Sequence, residues 1–334
     1  MSVVITLPEN KLHILGRADV RADALALDWT NSGVFFRFCG KTLSFQFDAP
    51  ALNQPLYVQI RLDGRWTRVG VSPDSTTVCI DAPEDGEHRV SLVRINEILD
   101  AAPLVLRTIT IDGNAPSLLP KPVMPDRRML FIGDSITCGY GLLTRGLGNG
   151  FKTVEQDGAH TFAALTADHF GAEAQFICIS GRGIVRNCDN EPAPLIPQFF
   201  EQTCVSNPTP WDHTAYIPDI IVVNAGTNDT AGEIDPVDPA VFAKGATAFV
   251  RRLRELYPQA TVLWVYGMMD ESLHEPLSEA LSAMQDDHVQ YLKLQSVWGF
   301  ENERGASNHP NQRAHHRCAG VVIDKVSELT GWDY

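Results

Sequence analysis

An antiparallel β-sandwich followed by an α/β unit with a parallel sheet is the fold class this chain predicts. Three features of its 334 residues carry that expectation. From about residue 30 to 113 apolar and polar residues alternate with the period of strands, four prolines then interrupt the chain between 116 and 125, and beyond them apolar runs alternate with stretches of helical spacing.

In the first part, Leu43, Phe45 and Phe47 alternate with Thr42, Ser44 and Gln46. Leu56, Val58, Ile60 and Leu62 alternate in the same way with Tyr57, Gln59, Arg61 and Asp63. Asp63-Gly64 reads as a hairpin turn, and residues 89–93 and 105–111 repeat the alternation. Many short strands with no helix between them predict a jelly roll over residues 1–115. Pro116, Pro120, Pro122 and Pro125 make 116–126 a linker, since neither a helix nor a central strand persists through them. In 127–334, buried strands are expected at 129–132, 174–179, 220–224 and 261–266, and helices at 161–170, 239–257, 275–287 and 311–329. That order makes a parallel sheet, whose ligand site belongs at the carboxyl ends of the strands.

Composition narrows the function. A hydrophobic content of 44% supports packed cores, and a net charge of -14 argues against nucleic acid or an anionic membrane as partner. A neutral substrate suits that charge better. The first residues lack a basic segment followed by an apolar core, and no apolar run reaches membrane-spanning length, so the chain reads as soluble and cytoplasmic. Seven scattered cysteines without a Cys-x-x-Cys pair read as reduced thiols. Self-association is left open.

The chemistry concentrates at strand ends. Gly133-Asp134-Ser135 follows the apolar run 129–132, so the turn can lift Ser135 clear as a nucleophile, and its N–H opens a helix. After the second strand, Ser180-Gly181-Arg182-Gly183 offers Gly181 or Gly183 as a backbone donor, and spacing from the strand end favours Gly183. After the third, Gly226-Thr227-Asn228-Asp229 supplies the Asn228 amide. His309-Pro310 stands in a loop before the last helix, placed to act as general base. A serine, a histidine and three oxyanion donors (the Ser135 and Gly183 N–H groups and the Asn228 amide) fit acyl transfer. Asp134 and Asp229 suit bracing of the two loops. Arg182 and Arg186 can meet substrate hydroxyls or pair with carboxylates, and Trp211 and Trp298 can stack on a sugar ring or simply pack. His309, His315 and His316 make no metal site by spacing, and no cofactor motif is present. Thr137 occupies the place where a Gly-x-Ser-x-Gly elbow needs glycine, and Phe35 the place of the first glycine of a phosphate loop ending at Gly40-Lys41-Thr42. Gly146-Leu147-Gly148-Asn149-Gly150 is a candidate mobile loop beside the site.

Taken in order, Gly133-Asp134-Ser135, the glycine after the second strand, Gly226-Thr227-Asn228-Asp229 and His309-Pro310 resemble the four blocks of the SGNH/GDSL hydrolases, over about residues 128 to 330. The resemblance implies a flavodoxin-like α/β/α catalytic domain. Gly133-Asp134-Ser135-Ile136-Thr137 through Gly141, Ser180 through Asn187, and the earlier Gly16-Arg17-Ala18-Asp19 and Leu27 through Gly33 are similar to carbohydrate esterase family 2. That likeness implies removal of O-acetyl groups from plant polysaccharides such as xylan and mannan. One residue departs from the pattern: the Asp-x-x-His motif would put aspartate at 306, and this chain has Ala306. The resemblance allows for a Ser135–His309 dyad whose imidazole is oriented by a backbone carbonyl, with Glu301 or Glu303 as the alternative orienting group. Two other functions compete: the same machinery acting on lipids or thioesters, and a carbohydrate-binding protein with an inactive hydrolase half.

Overall fold

The computed structural model describes residues 1–148, 150–232 and 235–333. The chain divides into two compact units, Met1–Met124 together with Thr203–Thr209, and Pro125–Gln202 together with Pro210–Tyr334.

The first unit is all antiparallel. Its strands are β1 (Ser2–Thr6), β2 (His13–Leu15), β3 (Asp19–Val20), β4 (Leu25–Leu27), β5 (Gly33–Asp48), β6 (Leu56–Leu62), β7 (Arg65–Val71), β8 (Thr77–Arg94), β9 (Leu104–Asp112) and β10 (Ser117–Leu118). The main path runs β3-β4-β9-β5-β8-β6-β7, with β1 on β9 and both β2 and β10 on β5. Two long strands make this sheet wrap around a core. The first half of β5 pairs with β2 and the second half with β9, while β8 follows β5 along both halves through a register shift between Gly40 and Thr42. The alternation seen in the sequence becomes burial: Leu43, Phe45, Phe47, Val58 and Ile60 point into the core, and Arg61 stays exposed. Asp63 and Gly64 both take positive φ, 49° and 84°, as the tight β6–β7 hairpin requires.

Part of the proline-rich stretch is sheet. Ser117 and Leu118 pair with Cys39 and Phe38 of β5, so the first unit runs on to Met124. Thr203–Thr209 also belongs to this unit, a return that no pattern in the sequence marks. Asp28, wholly buried, accepts from the backbone N–H and the hydroxyl of Ser206 at 2.7 and 2.9 Å, and the Trp29 indole donates to Thr203 O at 2.8 Å.

The second unit carries a parallel sheet of β11 (Arg128–Gly133), β12 (Glu173–Cys178), β13 (Ile220–Asn224), β14 (Thr261–Tyr266) and β15 (Val289–Lys293), in the order β12-β11-β13-β14-β15. The central strands are buried on both faces, which is why they read as continuous apolar runs. Edge strand β15 carries Gln290 and Lys293 and lacks such a run, so the sequence did not reveal it. The helices are α1 (Ser135–Cys138), α2 (Phe162–His169), α3 (Ile196–Phe199), α4 (Thr227–Thr230), α5 (Pro239–Leu256), α6 (His274–Ser282) and α7 (Gln312–Thr330). Helix α6 stops short of the expected 287, and Gln285 takes a positive φ of 52° just beyond it. The first crossover runs from β11 out to β12, and the next runs back past β11 to β13 on its other side. The chain order therefore reverses at β11, and a crevice opens at the carboxyl ends of these strands.

Asp28→Ala removes both contacts to Ser206 and leaves that half-buried N–H without its acceptor, so the first unit should lose about 2 kcal/mol of stability. Urea unfolding followed by tryptophan fluorescence measures it.

Candidate active site

Three adjacent strands deliver the site. Gly133 of β11 stands in register with Cys178 of β12 and Asn224 of β13, so the loops bearing Ser135, Gly181 and Asn228 leave the sheet at one level. Gly133 cannot carry a side chain: a Cβ would lie 2.2 Å from Thr137 Oγ1 and 2.7 Å from Asn224 O. The next residue, Asp134, caps α1 by accepting from the Ile136 N–H at 3.0 Å, and its other oxygen accepts from Asn228 Nδ2 at 3.1 Å. One carboxylate thus locks the serine turn to the asparagine loop.

Ser135 is 4% exposed, and its Oγ lies 2.8 Å from His309 Nε2. The other ring nitrogen, Nδ1, faces two backbone oxygens, Ala306 O and Ser307 O, each at 3.2 Å. Carbonyls only accept, so Nδ1 carries the proton and Nε2 accepts from the serine hydroxyl. The turn achieves this by placing Ser307 and Asn308 at φ of 50° and 60°. Two consecutive left-handed residues other than glycine are a local strain, held by the Ser307 N–H donating to Gly148 O at 2.8 Å and by Gly305 N–H donating to His309 O at 2.7 Å. Asn149, in the loop singled out by its glycines, lies outside the described residues.

Neither glutamate takes the orienting position. Glu303 is buried in an ion pair with Arg317, with the shortest contact at 2.6 Å, and Glu301 is exposed. Burial pushes the His309 imidazole down to about 4, against the pull of its two carbonyl partners. The ring is therefore neutral, as a base must be, over the whole physiological range.

The second loop corrects one assignment. The Gly183 N–H is already donated to Asn187 Oδ1 at 3.1 Å, and a Cβ on Gly183 would lie 2.0 Å from Arg186 O, so this glycine serves the folding of the loop. Gly181 is the alternative. It sits at φ +76° with open space where a Cβ would be, and among the described residues the N–H groups of Gly181 and Ser135 donate to no protein acceptor. Asp229 accepts from the N–H groups of Ile184, Val185 and Arg186 at 2.9, 2.8 and 3.1 Å, which braces this loop against α4. Asn228 Nδ2 donates both to Asp134 and to Arg182 O at 2.9 Å, so its amide hydrogens are committed in this state.

The outlying candidates separate. Arg182 is paired with Glu191 at 2.7 Å, and Arg186 donates to the backbone oxygens of Asp235 and Ala231. Trp211 is tied through its backbone N–H to Glu201 O at 2.8 Å, in the connection leading to the amino end of β13. Trp298 is 58% exposed and lines a cleft of about 430 Å³ with Met269, Asp270, Glu271 and Phe300, beyond the carboxyl ends of β14 and β15. Its indole N–H is fixed on Met269 O at 2.9 Å. His315 is buried with Nδ1 accepting from the Phe162 N–H at 3.0 Å, and His316 points out. Among the described residues no three His, Cys, Asp or Glu side chains are grouped to hold a metal ion.

A serine and histidine in contact at the switch point of a parallel sheet, with unfilled N–H donors beside them, define a serine hydrolase site. The chain belongs to the GDSL-like lipase/acylhydrolase family, whose model matches residues 131–317, and the carbohydrate esterase 2 N-terminal model matches residues 14–122. It is a serine carbohydrate esterase. It is similar to two proteins of Cellvibrio japonicus (strain Ueda107), each named acetylxylan esterase / glucomannan deacetylase. One is 31% identical, with 96% of this chain and 91% of that protein covered; the other is 25% identical, with 98% and 91% covered. Its fold matches the structure of a family two carbohydrate esterase from Cellvibrio japonicus with a TM-score of 0.87 at 23% identity, over 99% of both chains.

With His309 as the general base, kcat/KM should hold steady down to about pH 4 and fall tenfold per unit below it. An ordinary imidazole would place that limb near about 6.5. Initial rates with a water-soluble aryl acetate, corrected for acid unfolding by circular dichroism, locate it.

Proposed function

We propose that this esterase removes O-acetyl groups from plant-derived poly- or oligosaccharides of the xylan or mannan type, through Ser135, His309 and an acetyl-enzyme intermediate. The observation that carries the reading is the contact between Ser135 Oγ and His309 Nε2 with Nδ1 held by two carbonyls. The names of the two Cellvibrio japonicus relatives support the choice of substrate.

Ser135 Oγ attacks the acetyl carbonyl carbon while His309 Nε2 takes the hydroxyl proton. The carbonyl π bond opens, and the oxyanion is met by the N–H groups of Ser135 and Gly181. Asn228 joins them by turning one amide hydrogen from Arg182 O or Asp134 towards the oxyanion. The intermediate collapses, the bond to the sugar oxygen breaks, and His309 returns its proton to that oxygen. Water then attacks the acetyl-enzyme, again with His309 as base, and acetate leaves. No step needs a metal or a cofactor. A sugar ring extending from the site meets the face of Trp298 opposite Arg304, whose guanidinium covers the other at 4.6 Å from the ring centroid, in a cleft where Glu271 supplies a hydrogen-bond acceptor. The charge of -14 suits a neutral glycan, and seven cysteines held in no disulfide suit a cytoplasmic setting in which short, imported oligosaccharides are deacetylated.

Acetylated xylo- and manno-oligosaccharides should release acetate with wild type and show no release above background with Ser135→Ala, whether or not chelator is present. Preference for long-chain aryl esters would point to a lipid substrate instead, and absence of any turnover by wild type would point to a binding protein. Asn228→Ala should lower kcat by about 100-fold with little change in KM, as expected for one oxyanion donor. Trp298→Ala should raise KM for the oligosaccharides several-fold and leave kcat/KM for an aryl acetate unchanged.

A further inference from the structure

When His309 takes the Ser135 proton it becomes a cation in a half-buried place, and among the described residues no carboxylate is recorded against its ring. Ala306 is 1% exposed and packs so closely on Gly141 that a Cβ there would stand 2.9 Å from the Ala306 Cβ. Glu303 is spent on Arg317. The two carbonyls on Nδ1 supply dipoles but no full charge.

One group does lie flat against the ring. Tyr140 stacks on His309 with ring centroids 4.1 Å apart and planes 28° from parallel. It is fixed there from several sides. Gly139 and Gly141, at φ of 77° and 64°, turn the chain around it, and its N–H donates to Ser135 O at 3.0 Å. Its hydroxyl is 3.4 Å from Ser307 Oγ, on the turn that carries His309, and the Phe151 ring packs at 5.3 Å. Tyr140 is therefore anchored at once to the serine's own backbone and to the histidine turn.

We propose that Tyr140 is a positioning residue standing in for the missing carboxylate: its ring holds the imidazole plane in line with Ser135, and its electron-rich face stabilises the imidazolium formed in the transition state. The electrostatics fit, since the negative face of an aromatic ring attracts a cation within about 6 Å of its centroid, and more strongly where water is excluded. A neutral imidazole gains less from the same face, so the contact favours the transition state over the resting state. The ring supplies no proton and needs none. The proposal rests on the reading of Ser135 and His309 as the reacting pair.

The test is a series at position 140 measured on a soluble acetate ester and an acetylated xylo-oligosaccharide, with folding checked by circular dichroism and thermal melting. Tyr140→Leu keeps bulk and removes the π face; kcat should fall about tenfold, with KM within twofold of wild type. Tyr140→Phe should recover the rate to within about threefold, because the face remains. Phenylalanine carrying one, two and three ring fluorines, incorporated at 140, nearly preserves shape while draining the face of electron density, so log kcat should fall stepwise along that series. A flat fluorine series overturns the proposal, as do equal losses in Tyr140→Leu and Tyr140→Phe, which would assign the effect to the Ser307 contact. If Tyr140→Leu fails to fold, the fluorinated series still decides. Ester hydrolysis surviving in Ser135→Ala would instead overturn the underlying reading of the pair, whatever the series at 140 shows.

Discussion

The grip of two backbone oxygens on His309 Nδ1 is the constraint from which the rest of this site follows. It fixes the tautomer, and the tautomer turns the lone pair of Nε2 towards Ser135. To bring the oxygens of both Ala306 and Ser307 to one nitrogen, the chain accepts two successive left-handed residues, Ser307 and Asn308. Such a turn costs about 1–3 kcal/mol per residue and persists only where its surroundings hold it. Here the holding groups are backbone: Gly148 O, His309 O, and the Ala306 O that accepts the His309 N–H at 3.0 Å.

The acidic residues nearest the chemistry serve geometry. Asp134 spends one oxygen on the helix that opens at Ser135 and the other on Asn228, and Asp229 spends its carboxylate on three successive N–H groups of the neighbouring loop. Burial pushes the Asp229 carboxyl up while those three N–H groups pull it down. Through these two side chains, the three loops that leave β11, β12 and β13 at one level become a single braced rim. A rim made this way holds its backbone donors in place before charge develops, which is where oxyanion stabilisation gains its advantage over water, and leaves only the Asn228 amide to turn.

Much of this was legible in the residues because turns and strand ends leave chemical traces. Gly133 is required by Thr137 and Asn224, Asp63-Gly64 by a hairpin with positive φ, and the alternation in β5 and β6 by a one-sided core; each leaves a residue type that sequence alone reveals. What stayed hidden was decided by partners distant in the chain or by which atom is already engaged. Spacing could not tell Gly181 from Gly183, because the difference lies in the Asn187 side chain claiming one N–H and leaving the other. Nor could it show that Glu303 is taken by Arg317 on α7, or that Thr203–Thr209 returns to the first unit through Asp28 and Trp29. Asn187 four residues beyond Gly183 was the available signal for the first; the others have no local signature.

A hydrolase that orients its histidine with carbonyls differs electrostatically from one that uses a carboxylate. A negative neighbour raises the imidazole pKa and stabilises the cation in resting and reacting states alike, so part of its effect is spent before the substrate arrives. Two carbonyl dipoles pull the pKa up too little to offset burial, so the ring stays neutral down to about pH 4 and ready to accept a proton at any higher pH. In the proposed mechanism the cost falls on the transition state, where the imidazolium lacks a counterion. Preorganised N–H groups on the oxyanion side partly offset it, since the imidazolium and the oxyanion appear together and attract one another across the serine. The net result is a site whose reacting centre carries no permanent charge of its own, which suits an acyl group and an alcohol that are both neutral.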